Sequence, residues 1–194
     1  MKRLFLSAIL TAAASPLWAH PGHDHADAGF GAGFSHPLHG ADHILAMVAV
    51  GLWAASVGGR ALWALPAAFV GAMVMGFGVA LGGMTLPLVE PMILGSVIVL
   101  GLALALAMRL SLAASAAIVA LFGVFHGFAH GQEMGAGGAA AFGAGFALAT
   151  AMLHAGGVAL GATLVRELEG RRGRLIMRGL GAGAVLGGVV LALG

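Results

Sequence analysis

His36, His39, Asp42 and His43 fall in the run His36-Pro37-Leu38-His39-Gly40-Ala41-Asp42-His43, and His126, His130 and Glu133 fall in Phe125-His126-Gly127-Phe128-Ala129-His130-Gly131-Gln132-Glu133. Imidazole nitrogen with carboxylate oxygen is a ligand set for first-row divalent metals and not for alkali ions. The chain has no cysteine, which excludes disulfides, thiolate metal sites and iron–sulfur clusters. Pro37 suits a first helical position, where its missing N–H costs nothing, so a helix is expected to start there and run on through Ile44. On such a helix His36, His39 and His43 share an arc of roughly 60°, with Gly40 on the adjacent strip. Asp42 lies closer to His39 on that wheel, which suits a partner holding an imidazole tautomer as well as a direct ligand. In the second run His126, His130 and Glu133 are spaced i, i+4, i+7 and again cover roughly 60° of one face. Gly123, Gly127 and Gly131 form a small-residue stripe beside them, so a partner helix can come close enough for the two sets of side chains to meet.

The elements that carry these residues follow from composition. The 194 residues are 60% hydrophobic and 8% charged, with a mean hydropathy of +1.03. An ordinary soluble domain is about a quarter charged, so this composition indicates an all-α, polytopic membrane helix bundle. Its 34 glycines favour close backbone approach between helices, because lipid provides no hydrophobic drive for helix association. The same Gly-rich faces are candidate surfaces for a homo-oligomer. Six spans of about twenty residues are expected, at Leu38–Val57, Leu62–Gly82, Leu86–Met108, Leu112–Gly131, Ala139–Val165 and Leu175–Leu193. Arg60, Arg109, Arg166, Arg171, Arg172, Arg174 and Arg178 then sit at the ends and turns on one side of the bundle, joined there by Lys2 and Arg3. The positive-inside rule makes that side cytoplasmic. Both histidine runs, Glu90 and Glu133 therefore face outward, and both mature termini are expected in the periplasm of a bacterial inner-membrane protein. The pI of about 10.5 reflects these topogenic residues and points to no nucleic-acid partner.

Lys2 and Arg3 precede an apolar core, Leu4 to Ala14, too short to span a bilayer, and Ser15-Pro16-Leu17-Trp18-Ala19 resembles a signal-peptidase site. The expected organisation is a signal peptide over 1–19, a His-rich periplasmic tail over 20–35 and a six-helix domain over 36–194. In the tail, His20, His23 and His25 with the new amine could capture a metal loosely, or be a flexible polar segment. His154, deep in the fifth span, is either a further station for an ion moving inward or a hydrogen-bonded core imidazole. Met47, Met73, Met75, Met84, Met92 and Met152 read as gap fillers. No Walker motif is present, so any transport draws on a gradient or another subunit. A membrane metalloenzyme activating water on a His/Glu site and a haem carrier with paired axial histidines are the competing classes; the first lacks a separate base, and the carboxylates beside the histidines suit the second poorly.

His36-Pro-x-x-Gly-x-Asp42-His43 together with Phe125-His-Gly-x-Ala-His-Gly-x-Glu133 resembles the paired signature of the HupE/UreJ family of nickel or cobalt permeases, found beside hydrogenase and urease genes in bacteria. The resemblance extends over essentially the whole chain. It implies secondary or facilitated delivery of nickel or cobalt across the inner membrane, no enzymatic activity, no prosthetic group, and the divalent ion and the bilayer as partners. It also implies that His36, Asp42, His43, His126, His130 and Glu133 are the motif's metal ligands, with His39 at a variable position.

Overall fold

The computed structural model describes residues 29–134, 138–167 and 171–194. The expected signal peptide and the histidines of the tail, His20, His23 and His25, lie outside the described residues. All described elements are helical: α1 (Phe30–Ser35), a 3-10 turn (His36–Leu38), α2 (Ala41–Val57), α3 (Ala61–Leu81), α4 (Val89–Ala105), α5 (Leu112–Met134), α6 (Ala139–Glu167) and α7 (Arg171–Leu193). Helices α3, α5, α6 and α7 are long and apolar enough to cross a bilayer. The segment of α1 and the 3-10 turn is joined to α2 at a bend of 81°, and counts as a fifth crossing if the bent pair is one span. Large apolar side chains such as Trp63, Met75 and Val190 point outward, as a lipid-facing surface requires, and the chain is a membrane protein. Met47 and Met73 fill the core while Met75, Met84 and Met152 face out, so these methionines form no common path.

Two expectations are corrected here. The first helix does not run from Pro37: Pro37 sits in the 3-10 turn, and Gly40, extended at φ −92° and ψ 120°, separates that turn from α2. His36 and His39 are therefore on a different element from His43. The third expected span is trimmed to the 17 residues of α4. Pro87 disfavours helix in the residue before it. At the other end Ala107 is left-handed (φ 52°), and the Met108 N–H reaches back to the Ala103 carbonyl at 2.8 Å, a helix-ending arrangement.

Glycine contacts set the packing. Gly123, Gly127 and Gly131 of α5 lie against the backbone of Phe69, Met73 and Phe77 of α3, and Gly76 of α3 lies against Val124. Rising numbers on both helices make this pair parallel. Gly51 of α2 meets the His154 carbonyl and Gly157 of α6 meets that of Val48, a second parallel pair, while Gly101 and Gly181 join α4 to α7. The glycine stripe beside the second histidine run thus receives α3, not the helix carrying the first run. The described arginines gather at the end of the bundle where α2, α4 and α6 finish and α3, α5 and α7 begin. There the Arg178 Nε donates to the Ala105 carbonyl at 2.7 Å, capping the exposed C-terminus of α4. Both histidine runs converge at the opposite end.

Candidate metal site

Asp42 occupies the first turn of α2, where the helix dipole favours a negative charge. Its Oδ1 accepts the His43 backbone N–H at 2.8 Å and the His43 Nδ1–H at 2.9 Å. A side chain at position 40 would collide with this pair, since a Cβ there would stand 2.7 Å from Asp42 Oδ1 and 2.8 Å from His43 Nδ1. Glycine at position 40 therefore makes room for the carboxylate and the ring to fold back on the cap. With its Nδ1 proton held by Asp42, His43 presents Nε2 as its ligand atom.

That Nε2 meets the Nε2 of His130 at 2.6 Å. On the far side of His130, Nδ1 faces Glu133 Oε2 at 3.3 Å, one helical turn along α5. The result is a mirrored chain of carboxylate, imidazole, imidazole, carboxylate built from two helices. The two Nε2 atoms face each other at close range, and each Nδ1 faces a carboxylate. A cation placed between them meets two Nε2 lone pairs, with each ligand tautomer set by the carboxylate on the far side of its ring. Neighbouring nitrogen ligands of one divalent ion stand about 3 Å apart, so the rings need to part by less than an ångström.

His36 completes the group from the 3-10 turn. Its ring is edge-on to His130, with centroids 4.4 Å apart, and lies 6.2 Å from that of His43. One ligand atom from each of His36, His130 and Glu133 falls within 4.8 Å of the others. The wall is aromatic: Phe146 lies 4.6 Å from His130 and Phe142 lies 5.6 Å from His36, both centroid to centroid. These rings from α6 exclude water behind the ligands and strengthen electrostatic contacts in the site.

His126 belongs to the same file but sits one turn deeper, with its ring centroid 5.0 Å from that of His43. Its Nε2 is 3.0 Å from Ser96 Oγ, whose hydroxyl proton is donated to the Ile93 carbonyl at 2.6 Å. The serine oxygen can then only accept, so His126 carries its proton on Nε2 and exposes a bare Nδ1 lone pair. His39 goes elsewhere: it is exposed, and its Nδ1 donates to the Ser35 carbonyl at 2.8 Å. The expected pairing of Asp42 with His39 is replaced by the pairing with His43, because the break at Gly40 turns His39 away.

The site grades from water to interior. The Glu133 side chain is 55% exposed and that of His130 is 5% exposed, while His126 is sealed. Ser96, Phe142 and Phe146 went unread in the sequence. The i, i+4 spacing of the two phenylalanines near the start of an otherwise Gly/Ala-rich helix was the available signal, and for Ser96 there was none.

Residues 8–191 match the family described as HupE / UreJ protein. The chain is similar to Protein HupE of Rhizobium leguminosarum bv. viciae, with 39% identity over 196 residues and the full length of both chains covered. No solved structure matches. A match over nearly all of the chain, including both histidine runs that build the site, means that this protein belongs to the HupE/UreJ family.

Proposed function

We propose that this chain is a permease that carries a divalent transition-metal ion, nickel or cobalt, across the bacterial inner membrane to supply the maturation of metalloenzymes such as hydrogenase or urease. The observation that carries this reading is the His43–His130 pair, each ring backed by its own carboxylate, at the mouth of a nearly charge-free bundle. Ionisable groups at membrane depth are costly and mark ion pathways, and imidazole with carboxylate suits a first-row divalent ion. The ion is cargo, and the protein performs no covalent chemistry on it. The chain crosses the membrane six times after loss of residues 1–19, with α4 as the short third crossing and both mature ends in the periplasm. The arginine end is cytoplasmic, by the positive-inside rule, and the metal site opens outward.

Metal analysis of the purified protein after exposure to nickel and cobalt, with an absorption scan for haem, tests the reading together with uptake of radioactive nickel by cells starved of it. Nickel or cobalt bound in stoichiometric amount, no haem band and uptake that depends on this gene product are expected. A haem spectrum, or uptake identical in cells lacking the protein, overturns it.

The ligand chemistry also sets a pH dependence. A protonated imidazole nitrogen cannot ligate, so acidification weakens binding, by up to about tenfold per pH unit for each proton that the ion must displace. Equilibrium nickel binding between pH 7.5 and 5.5 measures this slope. Affinity that rises on acidification would refute nitrogen ligation.

A further inference from the structure

His154 is fully buried in α6, and neither of its ring nitrogens has a hydrogen-bond partner among the described residues. Thr150, one turn toward the metal site on the same helix, is also fully buried with its hydroxyl unpartnered. Both facts run against the norm. Buried polar atoms nearly always find a partner, and a helical threonine ordinarily bonds the carbonyl one turn back. A leucine would fill the place of His154 without an unpaired nitrogen, so packing does not explain the imidazole.

Its position does. Phe146, Thr150 and His154 follow one another at four-residue steps along a ridge of α6, descending about 6 Å per step. Phe146 walls the metal site, 4.6 Å from His130. On α5 the parallel series is Glu133, His130, His126, ending in the bare Nδ1 of His126, which also lacks a partner among the described residues. Phe69 of α3 joins the two series: its ring centroid is 5.1 Å from that of His154 and 5.4 Å from that of His126. The unpartnered ring nitrogens of the described bundle interior, on His126 and His154, thus lie beside one aromatic ring, while the hydroxyl of Ser115 is a further buried group without a partner, farther along α5.

We infer that His154, with the Thr150 hydroxyl, forms a second and inner station for the transported divalent cation, which the ion reaches from His126 by passing the ring of Phe69. The inference rests on the permease reading and adds to it where the cation goes after the outer site. A cation moving through low dielectric needs a replacement for lost ligands at each stage, and an imidazole with both nitrogens uncommitted offers a lone pair without first breaking a hydrogen bond. Weak binding suits a station of this kind, since the ion must leave again.

The test compares full-length native protein with His154→Leu, His154→Gln and His130→Ala, using nickel itself as probe. Uptake is measured in cells, and nickel binding and thermal midpoint on purified protein in detergent. For His154→Leu, uptake falls by about tenfold or more while binding at the outer site stays within about twofold of native, and the thermal midpoint is unchanged or raised because the unsatisfied ring is gone. His154→Gln, which restores an oxygen ligand, recovers part of the uptake. His130→Ala loses outer-site binding as well as uptake. Native-rate uptake by both His154 variants overturns the inner station and leaves the outer site standing. Loss of nickel binding with a lowered midpoint in both assigns His154 a structural role and overturns it too. If His154→Leu does not fold, the uptake and binding of His154→Gln decide, with native values overturning the inference. Native protein that neither binds nor takes up nickel overturns the permease reading itself.

Discussion

Replacing His130 by alanine is expected to reduce nickel uptake by about a hundredfold, and adding His43→Ala to that variant is expected to change little more. His130 is the hub of the site. Its Nε2 contacts His43, its Nδ1 faces Glu133, and its ring lies against that of His36. A cation that leaves water must regain several ligands at once, and a site missing its central nitrogen cannot compensate for lost hydration. His43→Ala removes the opposing nitrogen and leaves Asp42 only the backbone N–H of residue 43, so it disables the same step. Two residues serving one site depart from additivity, and the double-mutant cycle reads that departure directly. Glu133→Gln keeps an acceptor near the His130 Nδ1 but removes the charge, a smaller loss of about tenfold, at the low end for residues that orient metal ligands. His39→Ala is the control: exposed and bonded to the backbone, it should leave uptake within about twofold. Radioactive nickel accumulation, normalised to folded protein in the membrane, checks all five variants. Native rates in both His130→Ala and His43→Ala would show that the paired imidazoles are structural.

The two histidine runs were legible because chemistry was written in residue type. Apart from the basic residues that set the topology, this chain has few ionisable groups, and His36, Asp42, His43, His126, His130 and Glu133 cluster in two short runs, so their convergence at one end of the bundle followed from topology. The long helices were legible for the same reason: α5 begins at Leu112, as its apolar pattern requires, with the Ser111 hydroxyl accepting the Ala114 N–H at 3.2 Å to cap it. What stayed hidden was local backbone and choice of neighbour. Pro37 is compatible with a helix start, and the deciding event, extended backbone at Gly40, moved His39 off the shared face and gave Asp42 to His43. The stripe Gly123, Gly127, Gly131 marked a close approach without saying by which helix, since nearly every span here is rich in glycine and alanine. Ser96, Phe69 and Phe146 have no sequence relation to either motif, and three-dimensional packing brings them to it.

Gly127→Leu is expected to prevent the bundle from assembling, with folded protein falling to a small fraction of the native level. A Cβ at position 127 would run into the backbone carbonyl of Met73, and one at Gly131 would stand 2.6 Å from the Phe77 carbonyl. Backbone on a neighbouring helix cannot swing aside as a flexible side chain can, so the helices must separate. In lipid that separation is not opposed by hydrophobic drive, and the close packing it destroys is itself the main source of association. Gly127→Ala asks for the same shift on a smaller scale, and overpacking of this kind costs about 1–3 kcal/mol. Gly71 is the matched control on the same pair of helices. A Cβ there meets nothing within 4 Å, so Gly71→Ala should be neutral or stabilising by up to about 1 kcal/mol through helix propensity. Thermal midpoints and monodisperse yield in detergent measure both, and a native yield of Gly127→Leu would refute the packing. The consequence reaches the metal site, because His126 and Gly127 are neighbours on α5 and His130 and Gly131 are neighbours one turn on. Any displacement of α5 from α3 displaces the ligand face by a similar distance. Gly127→Ala is therefore expected to lower nickel uptake more than its loss of folded protein explains, since misplacing a positioned group by about 1 Å is enough to impair a site.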